Sequence, residues 1–348
     1  MQTRQQASAV PTALILVPEK WNYFYHQHGR RLTEALTELG FEAEIATLTT
    51  CPDRTYDWCV ITSVTEVIFD HTHPGPAEQS VYFTPERERA AVGILRNLAR
   101  KWKAVAACSL DCLGTRWFRE LKERCDAIGI KTLLDFGLFG QAKSMPSDSR
   151  ASYHFIFNGL TTSEALALEE GFADEQRTIP WAFVGHATPN RVTLVDRLVQ
   201  EIDPGGFVYL PRIGPIFEKN SPHLNQAQYE TVLRHTRYQI WCTHHDVFYM
   251  ESERFRMSLL GGSVPLKVVP SRRKCPPGIP FDFLLVEEDE LARFLLQCSF
   301  PLLRRRFLEE FRSRPSLKDS LGEYLARAGI VRPSVDGEPA RMPRKAAG

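Results

Sequence analysis

A chain of 348 residues with 43% hydrophobic and 24% charged side chains has the composition of a soluble globular protein and the length for two domains with cores of their own. Its 43 basic and 42 acidic residues leave a formal charge of +1, so no global field draws it to nucleic acid or to a membrane surface. An anionic ligand has to be held by local groups.

The opening residues MQTRQQASAVPT lack the apolar core of a signal peptide, and no run approaches the roughly 18 apolar residues of a membrane helix. Eight cysteines are scattered through the chain, several in apolar strand-like runs such as AVAACSL, and read as buried reduced thiols of a cytoplasmic protein. Cys108 and Cys112 have a spacing that suits zinc, but no second pair follows, so a structural metal is not expected.

Ala13 to Val17 is an apolar run that predicts a buried strand, and Gly29 to Leu39 follows with Leu32, Ala35, Leu36 and Leu39 at helical spacing, closed by Gly40. Further strands are predicted at Glu42 to Thr47, Trp58 to Ser63, Ala104 to Ser109 and Lys131 to Asp135, with helices near Pro85 to Lys101 and Thr115 to Ile128. The rhythm restarts at Ile179. There the strand IPWAFV is followed by a helix from Pro189, a strand at Phe207 to Leu210, a helix around Gln226 to Arg237 and a strand at Gln239 to Thr243. A helix near Glu251, a strand at Val264 to Val269, a strand-helix pair at Phe281 to Gln297 and two Arg-rich helices from Pro301 to Gly329 complete the pattern. Such alternation predicts an α/β protein with parallel sheets covered on both faces. The expected division is a Rossmann-like domain at 1–160, a second at 161–330 and a disordered tail at 331–348, the two domains facing each other across a cleft.

The stretch MESERFRMSLLGGSVPLKVV, Met250 to Val269, is the most informative. It combines a charged helix start, a Gly261-Gly262 break suited to a left-handed cap and a β-branched strand, and a helix N-terminus carrying Arg254 suits an anion. An ordinary helix-strand unit with Arg254 in a surface ion pair is the competing reading. In open α/β sheets ligands bind beyond the carboxyl ends of the strands, so the loops there hold the candidate residues.

The block TRYQIWCTHHDVFYMESERFRMSLLGGSVPLKVVPSRRKCPPGIPFDFLLVEEDELARFL resembles the nucleotide-sugar-binding half of GT-B glycosyltransferases. It is most similar to the exostosin-like type, with echoes of spore-coat and fucosyltransferase-like members, and RTIPWAFVGHATPNRVTLVDRL resembles the start of that half. The resemblance covers roughly residues 178 to 300, while over the first 150 only the topology matches. It implies that Arg254 contacts the donor diphosphate, that Glu253 reaches the ribose or sugar hydroxyls, that Glu251 is a further donor contact, and that the Gly185-His186 turn offers backbone N–H groups to the diphosphate. In retaining members a second Glu lies seven residues beyond the first. Ser258 and Leu260 stand at that spacing from Glu251 and Glu253, a departure that favours inversion.

Inversion needs one general base for the acceptor hydroxyl. His26 and His28 in the first strand-helix loop are candidates, as are Asp70 beside His71 and His73 in the loop after the third strand, with Asp111 able to orient a histidine. His244, His245 and Asp246 lack the geometry of a helix-borne metal pair, so His245 is expected to touch the nucleotide, with no metal and no cofactor other than the nucleotide sugar as substrate. The expected activity is transfer of a hexosyl or related sugar to a carbohydrate or other hydroxyl-bearing acceptor. A degenerate module that binds a nucleotide sugar or a protein partner, and a nucleotide-sugar epimerase, are the alternatives.

Overall fold

The computed structural model describes residues 10–19, 23–72, 85–110, 116–141, 151–169, 171, 177–211, 224–243 and 248–330. The first half runs β1 (Thr12–Leu16), α1 (Tyr23–Glu38), β2 (Glu42–Ala46), β3 (Trp58–Ile61), α2 (Val64–Thr72), α3 (Pro85–Ala99), β4 (Val105–Ser109), α4 (Arg116–Ile128), β5 (Thr132–Gly137), β6 (Ser152–Phe157) and α5 (Thr162–Glu169). The second runs β7 (Ile179–Val184), α6 (Pro189–Arg197), β8 (Phe207–Tyr209), α7 (Gln226–His235), β9 (Thr236–Cys242), α8 (Ser252–Leu260), β10 (Val264–Val269), β11 (Leu285–Glu287), α9 (Leu291–Gln297), α10 (Phe300–Arg312) and α11 (Leu317–Arg327).

Among the described residues these strands form two parallel sheets, in the orders β2-β1-β3-β4-β5-β6 and β11-β10-β9-β7-β8. Each order reverses once beside the first strand of its half, between β1 and β3 and between β7 and β9. Parallel strands covered on both faces need side chains that are apolar in both directions. In β1, Ala13 to Leu16 are all buried, Ala13 and Ile15 in one core and Leu14 and Leu16 in the other. The second sheet rests on an aromatic set, in which Phe281 stacks on Phe311 at 5.4 Å and packs edge-on against Phe307 at 5.5 Å. Gly262, at φ 67°, turns α8 into β10 in the left-handed conformation that glycine adopts without strain.

Several elements differ from the sequence expectations. α1 begins at Tyr23, so His26 and His28 sit in its first turns rather than in a loop; buried Tyr25 and His28 continue the stripe of Leu32, Ala35 and Leu36 one turn back. Asp70 lies on helix α2 and not in a loop, because Val64, Val67 and Ile68 give that segment a buried helical face. Strand β6 was not foreseen and forms the edge of the first sheet beside β5. Phe281 is not in a strand: it is left-handed at φ 60°, and a short turn at Asp282–Leu284 precedes β11.

The final helix α11, assigned by sequence to the second domain, returns to the first. Leu317, Leu321, Tyr324 and Leu325 are buried in the core beneath α1, and the Tyr324 ring lies 6.0 Å from Trp58. Its capping box at Ser316 and Asp319 starts the helix where the chain crosses back. Leu321→Ala is expected to cost about 3 kcal/mol in urea unfolding, a core truncation; a change below about 0.5 kcal/mol would contradict this docking.

Candidate functional site

The strand order reverses between β7 and β9, and the carboxyl ends of strands at such a reversal are the usual ligand position in an open α/β sheet. Gly185 follows β7 there. A Cβ on it would lie 3.1 Å from Arg191 Nη1 and 3.3 Å from Arg254 Nη2, so two guanidinium groups converge on one point of bare backbone. Arg191, in the first turn of α6, donates to the His186 carbonyl at 3.2 Å and, through Nε, to the Cys242 carbonyl at 3.2 Å. Asn190 donates to the Thr243 carbonyl at 2.7 Å, tying the start of α6 to the end of β9. Arg254 donates to the Val184 carbonyl at 2.7 Å and lies 5.5 Å above the centre of the Trp241 indole. No carboxylate among the described residues forms an ion pair with Arg254. Burial and the Arg254 charge push the Arg191 guanidinium down to about 10, as expected of two like charges held together, and a bound anion would relieve that repulsion.

Glu251 precedes α8 and is not a free acid. One of its oxygens accepts from Lys267 Nζ at 2.5 Å and from Trp241 Nε1 at 2.9 Å. Burial alone would raise this carboxyl, but Lys267 and then Arg254 hold it below its usual range.

Glu253, expected at the ribose, is instead committed to the junction of the two domains. Its carboxylate accepts from Arg256 at 2.5 Å, from Asn158 at 2.7 Å and from Arg31 of α1 at 3.3 Å. Arg256 also reaches Glu164 of α5 at 2.5 Å, and Arg31 reaches Glu164 at 3.0 Å. Burial would raise the Glu253 carboxyl, yet the guanidinium groups of Arg256 and Arg31 override it and hold it at about 2. Two acids and two arginines thus alternate in a closed buried cluster with no oxygen left for a sugar hydroxyl.

His28 lies against the same cluster, 1% exposed, its ring edge-on to Phe136 at 4.5 Å and neither nitrogen hydrogen-bonded. Burial, then the Arg31 charge, push the imidazole down to about 3, which makes it a neutral and weak base. His26 sits half-buried on the same helix. Asp70 is buried and accepts from the Glu19 backbone N–H beyond β1. His186 is half-buried, and its carbonyl accepts from Arg191. Asp111, His73, His244, His245 and Asp246 lie outside the described residues.

Of the residues singled out by sequence, the structure brings together Gly185, His186 and Arg254, and it sends Glu253 and His28 to the domain junction. The sequence reading missed Arg191, Trp241, Lys267, Arg31 and Arg256. Lys267 had a visible signal, a charge inside an apolar strand, and Arg191 lay six residues beyond Gly185 in a helix start. Asp135 on β5 was also passed over; buried and hydrogen-bonded to the Tyr153 hydroxyl, its carboxyl is pushed up to about 7 by burial.

No family model matches the chain, and no curated protein is similar to it in sequence. Solved structures are similar in fold. An alpha-glucosyltransferase in complex with UDP-glucose and DNA containing an abasic site matches at TM-score 0.55 and 9% identity over 92% of this chain and 99% of that one. Anabaena HepE in complex with UDP and glucose matches at TM-score 0.50 and 10% identity over 90% and 99%. At such identities the likeness is one of fold: the chain has the GT-B architecture of two facing Rossmann-like domains.

Two outcomes test the junction. Glu253→Ala leaves Arg256 and Arg31 short of a carboxylate in a dry site and is expected to cost about 3 to 5 kcal/mol in urea unfolding; a cost under about 1 kcal/mol contradicts the cluster. The folded chain keeps His28 neutral down to about pH 3, whereas its ordinary value is 6.5. The unfolded chain therefore binds the extra proton as pH falls below 6.5, so this contribution to stability is full above that pH and declines toward pH 3, by at most about 1.4 kcal/mol per pH unit. His28→Phe should flatten the dependence of the urea midpoint between about pH 6.5 and 5, above the carboxylate range; an unaltered slope would show that His28 is not held neutral.

Proposed function

We propose that this chain is a glycosyltransferase that moves a sugar from a nucleotide-diphosphate donor to an acceptor hydroxyl. The observation that carries the reading is the convergence of Arg191 and Arg254 on Gly185 at the strand-order reversal of the second sheet. Arginine presents a planar fork of donors matched to phosphate oxygens, and bare glycine backbone lets a diphosphate approach closely. As the sugar leaves, charge collects on the diphosphate, so the same two groups stabilise the transition state as well as the bound donor. Neighbours of the same fold are complexes with UDP-glucose and with UDP and glucose, which supports a nucleotide sugar as ligand.

Transfer proceeds with inversion and without a metal in this reading. Glu251 and Glu253 are both committed to ion pairs, so neither carboxylate of the α8 region serves as a nucleophile for a two-step route. The two guanidinium groups supply the positive charge that a divalent cation brings to a diphosphate elsewhere. The base comes from the first domain in this reading, with His26, Asp70 and Asp111 (outside the described residues) as the sequence candidates and Asp135 added as a buried carboxyl that accepts from the Tyr153 hydroxyl. The exostosin-like resemblance read from the sequence of the second half supports a carbohydrate acceptor. DNA in the complex of one neighbour adds nucleic acid to the acceptors worth testing. A catalytically silent nucleotide-sugar binder is the second reading, favoured by the weak basicity of His28.

Titration calorimetry with UDP and GDP is expected to show binding, and Arg254→Ala to weaken it at least about tenfold, the loss of one charge-assisted contact. No response to either nucleotide at millimolar concentration would sink the proposal. Mass spectrometry of products from a nucleotide-sugar panel separates the two readings, since donor hydrolysis or transfer by the pure protein excludes a silent binder.

A further inference from the structure

β10 is the most completely buried strand of the second sheet, and Lys267 sits within it with no exposed surface. A lysine there loses its hydration, and an apolar residue of similar size would serve the core as well or better. Its ammonium meets one carboxylate oxygen of Glu251 at 2.5 Å, and that oxygen also takes the Trp241 Nε1 proton at 2.9 Å. The Glu251 backbone carbonyl accepts from the Arg254 N–H at 2.9 Å, so the acid stands at the start of the helix that presents Arg254. Arg254 and Lys267 lie near the same indole, 5.5 and 5.8 Å from its centre.

We propose that Lys267 sets the charge of the donor site: by engaging Glu251 in the core it keeps that carboxylate from engaging Arg254, which stays open to the diphosphate. This rests on the donor-site reading above. Among the described residues, Arg254 and Arg191 are the other cations that share an electrostatic influence with Glu251, and Arg254 follows it at the start of α8. An internal ion pair formed there would compete with the ligand for the same guanidinium. Lys267 is a positioning residue in this scheme and touches no substrate.

The test is titration of the full chain with whichever of UDP and GDP the native protein binds more tightly, alongside the matching monophosphate and nucleoside. Lys267→Met is expected to weaken the diphosphate at least about tenfold, the monophosphate less and the nucleoside hardly at all. Lys267→Met/Glu251→Gln, which removes both charges, should restore diphosphate affinity to within about threefold of native. A merely structural lysine would instead weaken all three ligands alike, and that result overturns the proposal. If the single variant does not fold, the double variant decides alone. Diphosphate affinity within about threefold of native upholds the scheme, and a larger loss with nucleoside binding kept overturns it, since Lys267 would then itself attract the ligand. Native protein that binds neither nucleotide removes the donor site itself, and the inference with it.

Discussion

The buried cluster of Arg31, Glu164, Glu253 and Arg256 is the constraint on which the arrangement of the two domains depends. It draws on three helices, α1 of the first domain, α5 at the crossing and α8 of the second. Charges removed from water in this way tolerate little displacement, since each oxygen or N–H that loses its partner is left in a dry site. Around the cluster, Asn158 donates to Ser252 at 3.0 Å, Ser252 donates to the Phe136 carbonyl at 3.1 Å, and Tyr249 donates to the Leu110 carbonyl. The start of α8 is therefore fastened to the carboxyl ends of β4, β5 and β6.

The chain crosses between domains at the same place. Gly159 follows β6, and a Cβ there would collide with the backbone at Pro315 to Leu317, while Leu317 donates to the Leu160 carbonyl at 3.0 Å. Outgoing and returning strands of chain touch beside Arg31, which donates to the Gly159 carbonyl. The start of α8 is consequently used twice: Ser252, Glu253 and Arg256 hold the domains together, and Glu251 and Arg254 engage Lys267 and the Val184 carbonyl of the second sheet. The proposed donor site and the domain geometry share the start of one helix.

The alternation of apolar runs and amphipathic helices made two parallel sheets legible, because burial on both faces leaves uninterrupted apolar strands such as ALILV and VPLKVV. That Gly185 and Arg254 come together was legible in part, since Gly185 directly follows a buried strand and Arg254 lies in the first turn of a helix in the same half. Glu253 pairs with residues that its sequence context does not suggest. Its neighbours in sequence resemble a ribose-contacting motif, and its actual partners, Asn158 and Arg31, are 95 and 222 residues away. His28 was placed in a loop because Tyr25, His26, Gln27 and His28 do not read as an apolar stripe, although α1 buries two of them. Polar residues that face another domain carry the same hydropathy as those that face water, and only the fold separates them.

A crystal structure with UDP or GDP bound bears most directly on the donor site. The arrangement of Gly185, Arg191 and Arg254 predicts diphosphate density at the carboxyl ends of β7 and β9, within hydrogen-bonding distance of both guanidinium groups and against the Gly185 backbone. Ordered nucleotide elsewhere, at the reversal between β1 and β3 or on the outer face of either sheet, would contradict it.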